Sequence, residues 1–335
     1  MDLNKDRKIL ILFNIKANQR EGLGHFYRCS SLAKELKEAQ IGFVCSYEDR
    51  KFIANILDKK FKLHSYIKSD PFPKIKKLKP NVLINDVLST DKSFIKQLIN
   101  EGIKVINFED LGSGAEHTNL TINEIYEDKL VKGNNILWGS EYFFLREEFD
   151  NKLITKESIE IDSLLLTFGG SDQHNLSKKI YSSIKEFCQK ESIFITIVTG
   201  PAYCSQNLKE LKELVQSDSG VDLISSTGSM ASIMEKTKFA ISSNGRTVYE
   251  LAHMNVPAIV ISQHARESMH TFANENNGFI NLGIYSKGKT EKEVLNSLVK
   301  ITNSQNIKRK LHNAISNISF KGNKKRVLKL IRDEF

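Results

Sequence analysis

A chain of 335 residues suggests two domains, and 40% hydrophobic with 27% charged residues suits a globular protein with a sizeable core, which excludes disordered, collagenous and coiled-coil classes. No apolar run approaches the roughly 18 residues of a membrane span. The formal charge of +9 is concentrated at one end: residues 306–335 carry nine Lys and Arg against Asp333 and Glu334, a net +7. There Val327, Leu328, Leu330 and Ile331 recur at helical spacing, which predicts an amphipathic terminal helix with a solvated cationic face. At most a weak attraction to an anionic membrane surface is expected of it. A nucleic-acid partner is not expected, because neither a groove-reading motif nor an aromatic stacking platform accompanies the charge.

At the other end, Met-Asp-Leu-Asn-Lys-Asp-Arg-Lys precedes a short apolar run at 9–13, with neither the length nor the cleavage site of a signal peptide, so a cytoplasmic protein is expected. Strands are predicted at 9–13, 41–45, 82–84 and 105–108, with helices at 25–38, 50–57 and 91–100 between them. After a charged segment at 146–160 the alternation restarts, with strands at 163–168, 194–198, 221–224, 239–242 and 258–261 and helices at 175–189, 207–215, 247–254 and 292–301. This is the βαβ pattern of buried parallel sheets, and it predicts two Rossmann-like doubly wound α/β domains, 1–149 and 150–335, the second carrying the basic helix. In such sheets ligands collect at the carboxyl ends of strands, so two of them facing one another would form a cleft lined by both sets of loops. Cys29, Cys45, Cys188 and Cys204 lie far apart with no CxxC pair, and suggest neither a zinc site nor a disulfide framework.

Three glycine turns follow predicted strands. The first leads to Gly22, Gly24, His25 and Arg28 at the start of a helix. Histidine and arginine three apart share a helical face, and an imidazole beside a helix N-terminus is suited to act as a general base; a histidine that merely packs the turn is the alternative. The second turn, Gly169-Gly170-Ser171-Asp172-Gln173-His174-Asn175, is neither a Walker A loop nor GxGxxG, but its glycines and polar residues make a nest of donors suited to phosphate. In the third, Ser243-Asn244-Gly245-Arg246-Thr247 precedes a helix with Glu250 one turn in, where a carboxylate can accept both hydroxyls of a ribose while loop amides hold a diphosphate; a solvated helix carboxylate is the alternative. Ser262, Gln263, His264, Glu267 and His270 form another polar set after a strand. Asp86, Glu109 and Asp110 follow strands on the His25 side, where each can also cap a turn.

These residues resemble the UDP-sugar hydrolase of pseudaminic acid biosynthesis and the related spore-coat polysaccharide proteins, a family similar to the N-acetylglucosaminyltransferase that makes lipid II. The likeness rests on Gly22-x-Gly24-His25-x-x-Arg28 with Leu32-Ala33, on Leu145 through Phe149, on Thr167 through Ser177, on Ser243 through Leu251 with Pro257, and on Lys321-Gly322 followed by Lys325-Arg326-Val327. It implies a GT-B architecture, UDP held mainly by the second domain, and hydrolysis of a UDP-activated amino sugar with His25 as the base acting on water at the anomeric carbon. Substrate contacts are expected from Gly22, Gly24, Arg28, Asp86, Gly170, Ser171, Asn175, Asn244, Gly245, Thr247, Glu250, Gln263 and Glu267, with no cofactor and no metal. The chain departs from the family at Asn14, Lys16, Ala17 and Asn18, where an arginine and an aspartate are usual, and at Val87-Leu88, where an aromatic residue is usual. Those positions bear on the sugar. A glycosyltransferase of the same fold and a non-catalytic nucleotide-sugar-binding partner are the competing expectations.

Overall fold

The computed structural model describes residues 8–17, 23–67, 69–149, 158–225 and 228–335. Two compact units emerge, one made of residues 1–146 and 321–335 and the other of 147–320. In the first unit the chain runs β1 (Leu10–Ile15), α1 (Gly24–Glu35), β2 (Gln40–Ser46), α2 (Tyr47–Ile53), β3 (Lys62–Tyr66), α3 (Phe72–Leu78), β4 (Val82–Asp86), α4 (Lys92–Asn100), β5 (Lys104–Phe108), β6 (Leu120–Asn123) and β7 (Ile136–Trp138). The second continues with β8 (Ser163–Thr167), α5 (Leu176–Lys190), β9 (Phe194–Thr199), α6 (Ser205–Val215), β10 (Val221–Ser225), α7 (Met230–Lys236), β11 (Phe239–Ser243), α8 (Thr247–His253), β12 (Ala258–Ser262), β13 (Phe279–Ile284), α9 (Lys289–Thr302) and α10 (Gln305–Ser316). The last helix, α11 (Asn323–Arg332), returns to the first unit.

Each sheet is parallel throughout, seven strands in the order β3-β2-β1-β4-β5-β6-β7 and six in the order β10-β9-β8-β11-β12-β13. In both sheets the winding reverses beside the opening strand, between β1 and β4 in one and between β8 and β11 in the other. At such a switch point the connections leave in opposite directions and open a crevice at the carboxyl ends of the strands. His25 follows β1 and Asp86 ends β4, while Gly170 follows β8 and Asn244 follows β11. The topology therefore brings the sequence motifs together in pairs, one pair in each unit.

The first core explains why α1 sits where it does. Phe26, Cys29, Leu32 and Ala33 recur on one face of the helix and pack against Ile11, Phe13 and Ile15 of β1 and Phe43 of β2, with the rings of Phe13 and Phe43 stacked at 5.2 Å. Val327, Leu328 and Ile331 of α11 enter this same core, so the basic terminal helix belongs to the first unit, not to the second domain where the sequence reading put it. Its polar residues also dock. The Asn323 amide donates to the carbonyls of Ser140 and Phe143 at 3.0 and 2.9 Å, and Lys324, Arg326 and Arg332 pair with Glu35, Glu141 and Glu38. Lys308 and Lys310 in the second unit pair with Glu160 and Glu275. Five of the nine cations in the tail are thus matched by local acids, and the charge that stands out in the sequence is largely taken up in docking. Among the described residues no helix is long and apolar enough to cross a membrane.

Ile331 is fully buried among the side chains of α1 and β1. Ile331→Ala is expected to cost about 2–5 kcal/mol of stability, and urea denaturation followed through hydrogen exchange of β1 and β2 checks that the loss falls on the first unit.

Candidate functional site

In the first unit the site is built around Arg28. The side chain is wholly buried, its residue only 2% exposed, and each of its three nitrogens donates to an acid, with Nη2 also 3.3 Å from His25 Nδ1. Nε donates to Asp86 Oδ2 at 2.7 Å and Nη2 to Asp86 Oδ1 at 2.5 Å, a two-pronged grip, while Nη1 donates to Glu109 and, at 2.8 Å, to Glu124 Oε1. The guanidinium also lies 5.0 Å from the centre of the Phe108 ring. Burial by itself weakens the hold of the guanidinium on its proton, but the charges of Asp86, Glu109 and Glu124 outweigh that and push its pKa well above the ordinary value. Burial likewise favours a neutral Asp86, but Arg28, and after it His25, hold the Asp86 carboxyl far below the usual carboxylate range.

Asp86 is therefore an anion that can only accept, and this fixes the neighbouring imidazole. His25 Nδ1 lies 2.6 Å from Asp86 Oδ1 and must carry the proton between them, which leaves Nε2 with its lone pair. Nε2 forms no hydrogen bond with a described residue, and the side chain is 9% exposed. An imidazole pinned at one nitrogen and open at the other has the form of a general base. Cys29, one helical position past Arg28, is no competing nucleophile: burial, reinforced by Asp86, pushes its thiol pKa well above the ordinary value.

The sequence reading placed Arg28 and Asp86 against the substrate. The structure turns both inward, where they hold each other and orient His25. Glu124, fully buried on Arg28, is a member of this cluster that the sequence reading did not single out. Its only signal was an acid directly after the weakly apolar β6. Glu109 was noted as an acid after a strand. It adopts a left-handed backbone (φ 52°), an unfavourable conformation for a glutamate, as its side chain turns onto Arg28. Asn14, one of the departures from the family pattern, faces away from this cluster. Its amide begins a buried ladder across the other side of the sheet, from Asn14 to Asn85 and from Asn85 to Asn107 at 2.9 Å each, ending on Asp110 at 2.5 Å. Gly24 opens α1, whereas Gly22 and Asn18 lie outside the described residues.

In the second unit the β8 loop carries the nest. The backbone N–H groups of Gly169, Gly170 and Ser171 donate to no described residue, and all three residues are half-buried. A neighbouring loop braces the nest: Ala202 N–H donates to the Gly170 carbonyl at 3.0 Å, and a Cβ on Gly200 would lie 2.5 Å from Gly170 Cα, so only glycine fits there. Asp172, next in line, is committed to α5, where its two oxygens accept from Leu176 N–H at 2.6 Å and Ser177 N–H at 2.8 Å. Burial raises its pKa despite those bonds. The Leu176 and Ser177 N–H groups at the start of α5 are thus capped from within, while the glycine loop keeps its donors free of described residues.

Of the other expected contacts, Asn175 accepts from the Tyr203 hydroxyl and stands in a left-handed conformation (φ 55°). The Asn244 amide is spent on the protein, donating to Ser262 Oγ at 3.2 Å and to the carbonyls of Glu267 and His270 at 2.9 and 3.0 Å. Gly245 and Thr247 are half-buried at the start of α8, with Glu250 buried one turn in. Gln263 ties the β12 loop to the β8 loop and braces its own: its side chain donates to the Phe168 carbonyl at 3.1 Å, its carbonyl meets His174 Nε2 at 2.8 Å, and its backbone N–H donates to Glu267 Oε2 at 2.6 Å. Among the described residues no group of three or more His, Cys, Asp and Glu is placed to hold a metal ion.

Removing the guanidinium strands three buried carboxylates, so Arg28→Met is expected to destabilise the first unit by about 3–5 kcal/mol at pH 7, as read by urea denaturation. Because the pKa of Asp86 is depressed in the folded protein, its contribution is fully present above about pH 4 and is lost as the pH falls through the folded value; Asp86→Asn should remove that acid-dependent part of the stability curve.

Comparison with known proteins agrees with this architecture. Residues 164–318 match the glycosyltransferase family 28 C-terminal domain. An uncharacterized protein of Methanocaldococcus jannaschii is 29% identical over 263 residues, 72% of this chain, which spans about half (53%) of that relative's length. Spore coat polysaccharide biosynthesis protein SpsG of Bacillus subtilis is 26% identical over 274 residues, covering 76% of this chain and 78% of that protein. Among solved structures, MurG of Acinetobacter baumannii superposes with a TM-score of 0.68 at 12% identity, covering 98% of this chain and all of that one. UDP-GlcNAc 2-epimerase of Neisseria meningitidis, bound to UDP-GlcNAc, superposes with a TM-score of 0.63 at 12% identity over 98% of this chain and 100% of its own. With two doubly wound parallel-sheet domains and these neighbours, the chain has the GT-B fold.

Proposed function

We propose that the protein hydrolyses a nucleotide sugar, releasing UDP from a UDP-activated acetamido sugar of surface-polysaccharide or nonulosonic-acid synthesis. In this reading His25 takes the proton of a water that attacks the anomeric carbon. The observation that carries it is the His25–Asp86 pair, in which an ionised, buried carboxylate fixes the Nδ1 proton and leaves Nε2 to act. Arg28 and Asp86 are positioning residues in this scheme. Arg28 keeps Asp86 ionised, and Asp86 keeps the ring in the useful tautomer.

The nucleotide is assigned to the second unit. The free amides of Gly170 and Ser171 suit a diphosphate, Gly245 and Thr247 open a helix beside them, and the Glu250 carboxylate suits a ribose. Support comes from the match to the family 28 C-terminal domain, from the relationship to a spore-coat polysaccharide protein, and from the fold shared with an enzyme bound to UDP-GlcNAc. UDP departs readily once amides balance its charge, so the remaining work is to place water and accept one proton, and the scheme calls on no cofactor. One observation favours a second reading. The matching domain is that of a glycosyltransferase family, and the same base would then deprotonate an acceptor hydroxyl in place of water.

Incubation with UDP-, GDP- and CMP-sugars, with and without acceptors, followed by mass analysis, separates the two: free sugar with UDP selects hydrolysis, and a conjugate selects transfer. His25→Asn is expected to slow product formation by about 100-fold or more while leaving UDP affinity within about twofold of wild type. Parallel loss of both would make His25 structural.

A further inference from the structure

Glu267 stands at the junction of the β11 and β12 loops. Its Oε2 accepts from Gln263 N–H at 2.6 Å, its carbonyl accepts from the Asn244 amide at 2.9 Å, and its Oε1 lies 3.9 Å from where a Cβ on Gly245 would be. Oε1 accepts no hydrogen bond from a described residue, and His264 Nε2 lies 4.0 Å from it. A carboxyl held by one oxygen and open at the other, between a glycine turn and a loop amide, carries its proton on the open oxygen. We propose that Glu267 makes ligand affinity proton-dependent: neutral, it donates from Oε1 to an oxygen of a bound diphosphate, and ionised, it repels that diphosphate. This rests on the nucleotide reading above and adds a means of regulation to the same site.

Burial pushes the Glu267 carboxyl up to about 7, opposed only by the Gln263 N–H, so the group changes charge near neutral pH. A bound anion favours the neutral acid and raises its pKa further. Affinity is therefore flat below about pH 7 and falls above it, by up to about tenfold per pH unit, because binding must then bring a proton with it. The titratable and charged groups on the adjoining segments are His264, Arg266 and His270 around the β12 loop, Arg246 and Glu250 at the start of α8, and His174 on the Gln263 carbonyl. Protonated His264 favours the ionised acid and works in the opposite direction, so it serves as a control.

Calorimetric titration with UDP-N-acetylglucosamine tests the proposal, since both acidic oxygens of its disubstituted diphosphate stay ionised across about pH 6 to 8.5, so the charge of the ligand does not change there. The wild-type affinity is expected to weaken by about tenfold over that range, Glu267→Gln to bind equally well throughout at the tighter level, and His264→Asn to keep the decline. Wild-type binding should also take up a proton at about pH 8, read without any variant from buffers of different ionisation enthalpy. A decline that persists in Glu267→Gln, a pH-independent wild type, or binding without proton uptake would overturn the proposal. No binding by wild type at any pH would overturn the nucleotide reading itself, and this proposal with it.

Discussion

A single guanidinium, sealed from water among three carboxylates, ties the first unit together at its functional end. Arg28 comes from α1, Asp86 ends β4, Glu109 follows β5 and Glu124 follows β6, so one side chain joins a helix to three consecutive strand ends. Burying four charged groups is costly, and the arrangement holds only because each acid has a nitrogen of the same cation as its partner. What the cluster yields is direction. It sets the state of Asp86, which sets the proton on His25, one helical turn before Arg28.

The second unit solves a different problem with the same topology. Its switch point presents amides without charge, and the nearest acid, Asp172, is turned onto the first turn of α5. Asn244 and Gln263 lock the β8, β11 and β12 loops to one another, so the donors of the nest are held in place before any ligand arrives. Fixed dipoles of this kind stabilise developing charge without reorganising, which suits a leaving diphosphate. In the proposed chemistry the first unit governs a proton and the second unit governs a charge.

Much of this was legible in the sequence. Buried parallel strands appear as continuous apolar runs, which is why β1, β2, β4, β5 and β8 to β12 could be read from composition alone. The strands that escaped are those without such a run: β3 reads Lys-Leu-His-Ser-Tyr at a sheet edge, β7 is three residues long, β6 is four residues of which Thr121 and Asn123 are polar, and β13 is broken by Asn281 and Gly283. The His25 and Arg28 spacing was visible, but the direction of Arg28 was not, because it depends on which side of α1 meets the sheet. Asn175 and Asn244 illustrate the same limit. In a sequence a polar loop residue that faces a ligand and one that knots the loop look alike, and only the partners of their amides tell them apart. The amphipathic pattern of α11 was plain, whereas the core that receives it was fixed by tertiary packing.

The central claim is that Asp86 dictates the tautomer of His25. Nitrogen-15 NMR of histidine-labelled protein near neutral pH reads this directly. The account requires a His25 resonance pair with the proton on Nδ1 and an unprotonated Nε2, and loss of that preference in Asp86→Asn. A ring protonated at Nε2, or one indifferent to the loss of the carboxylate, would contradict it.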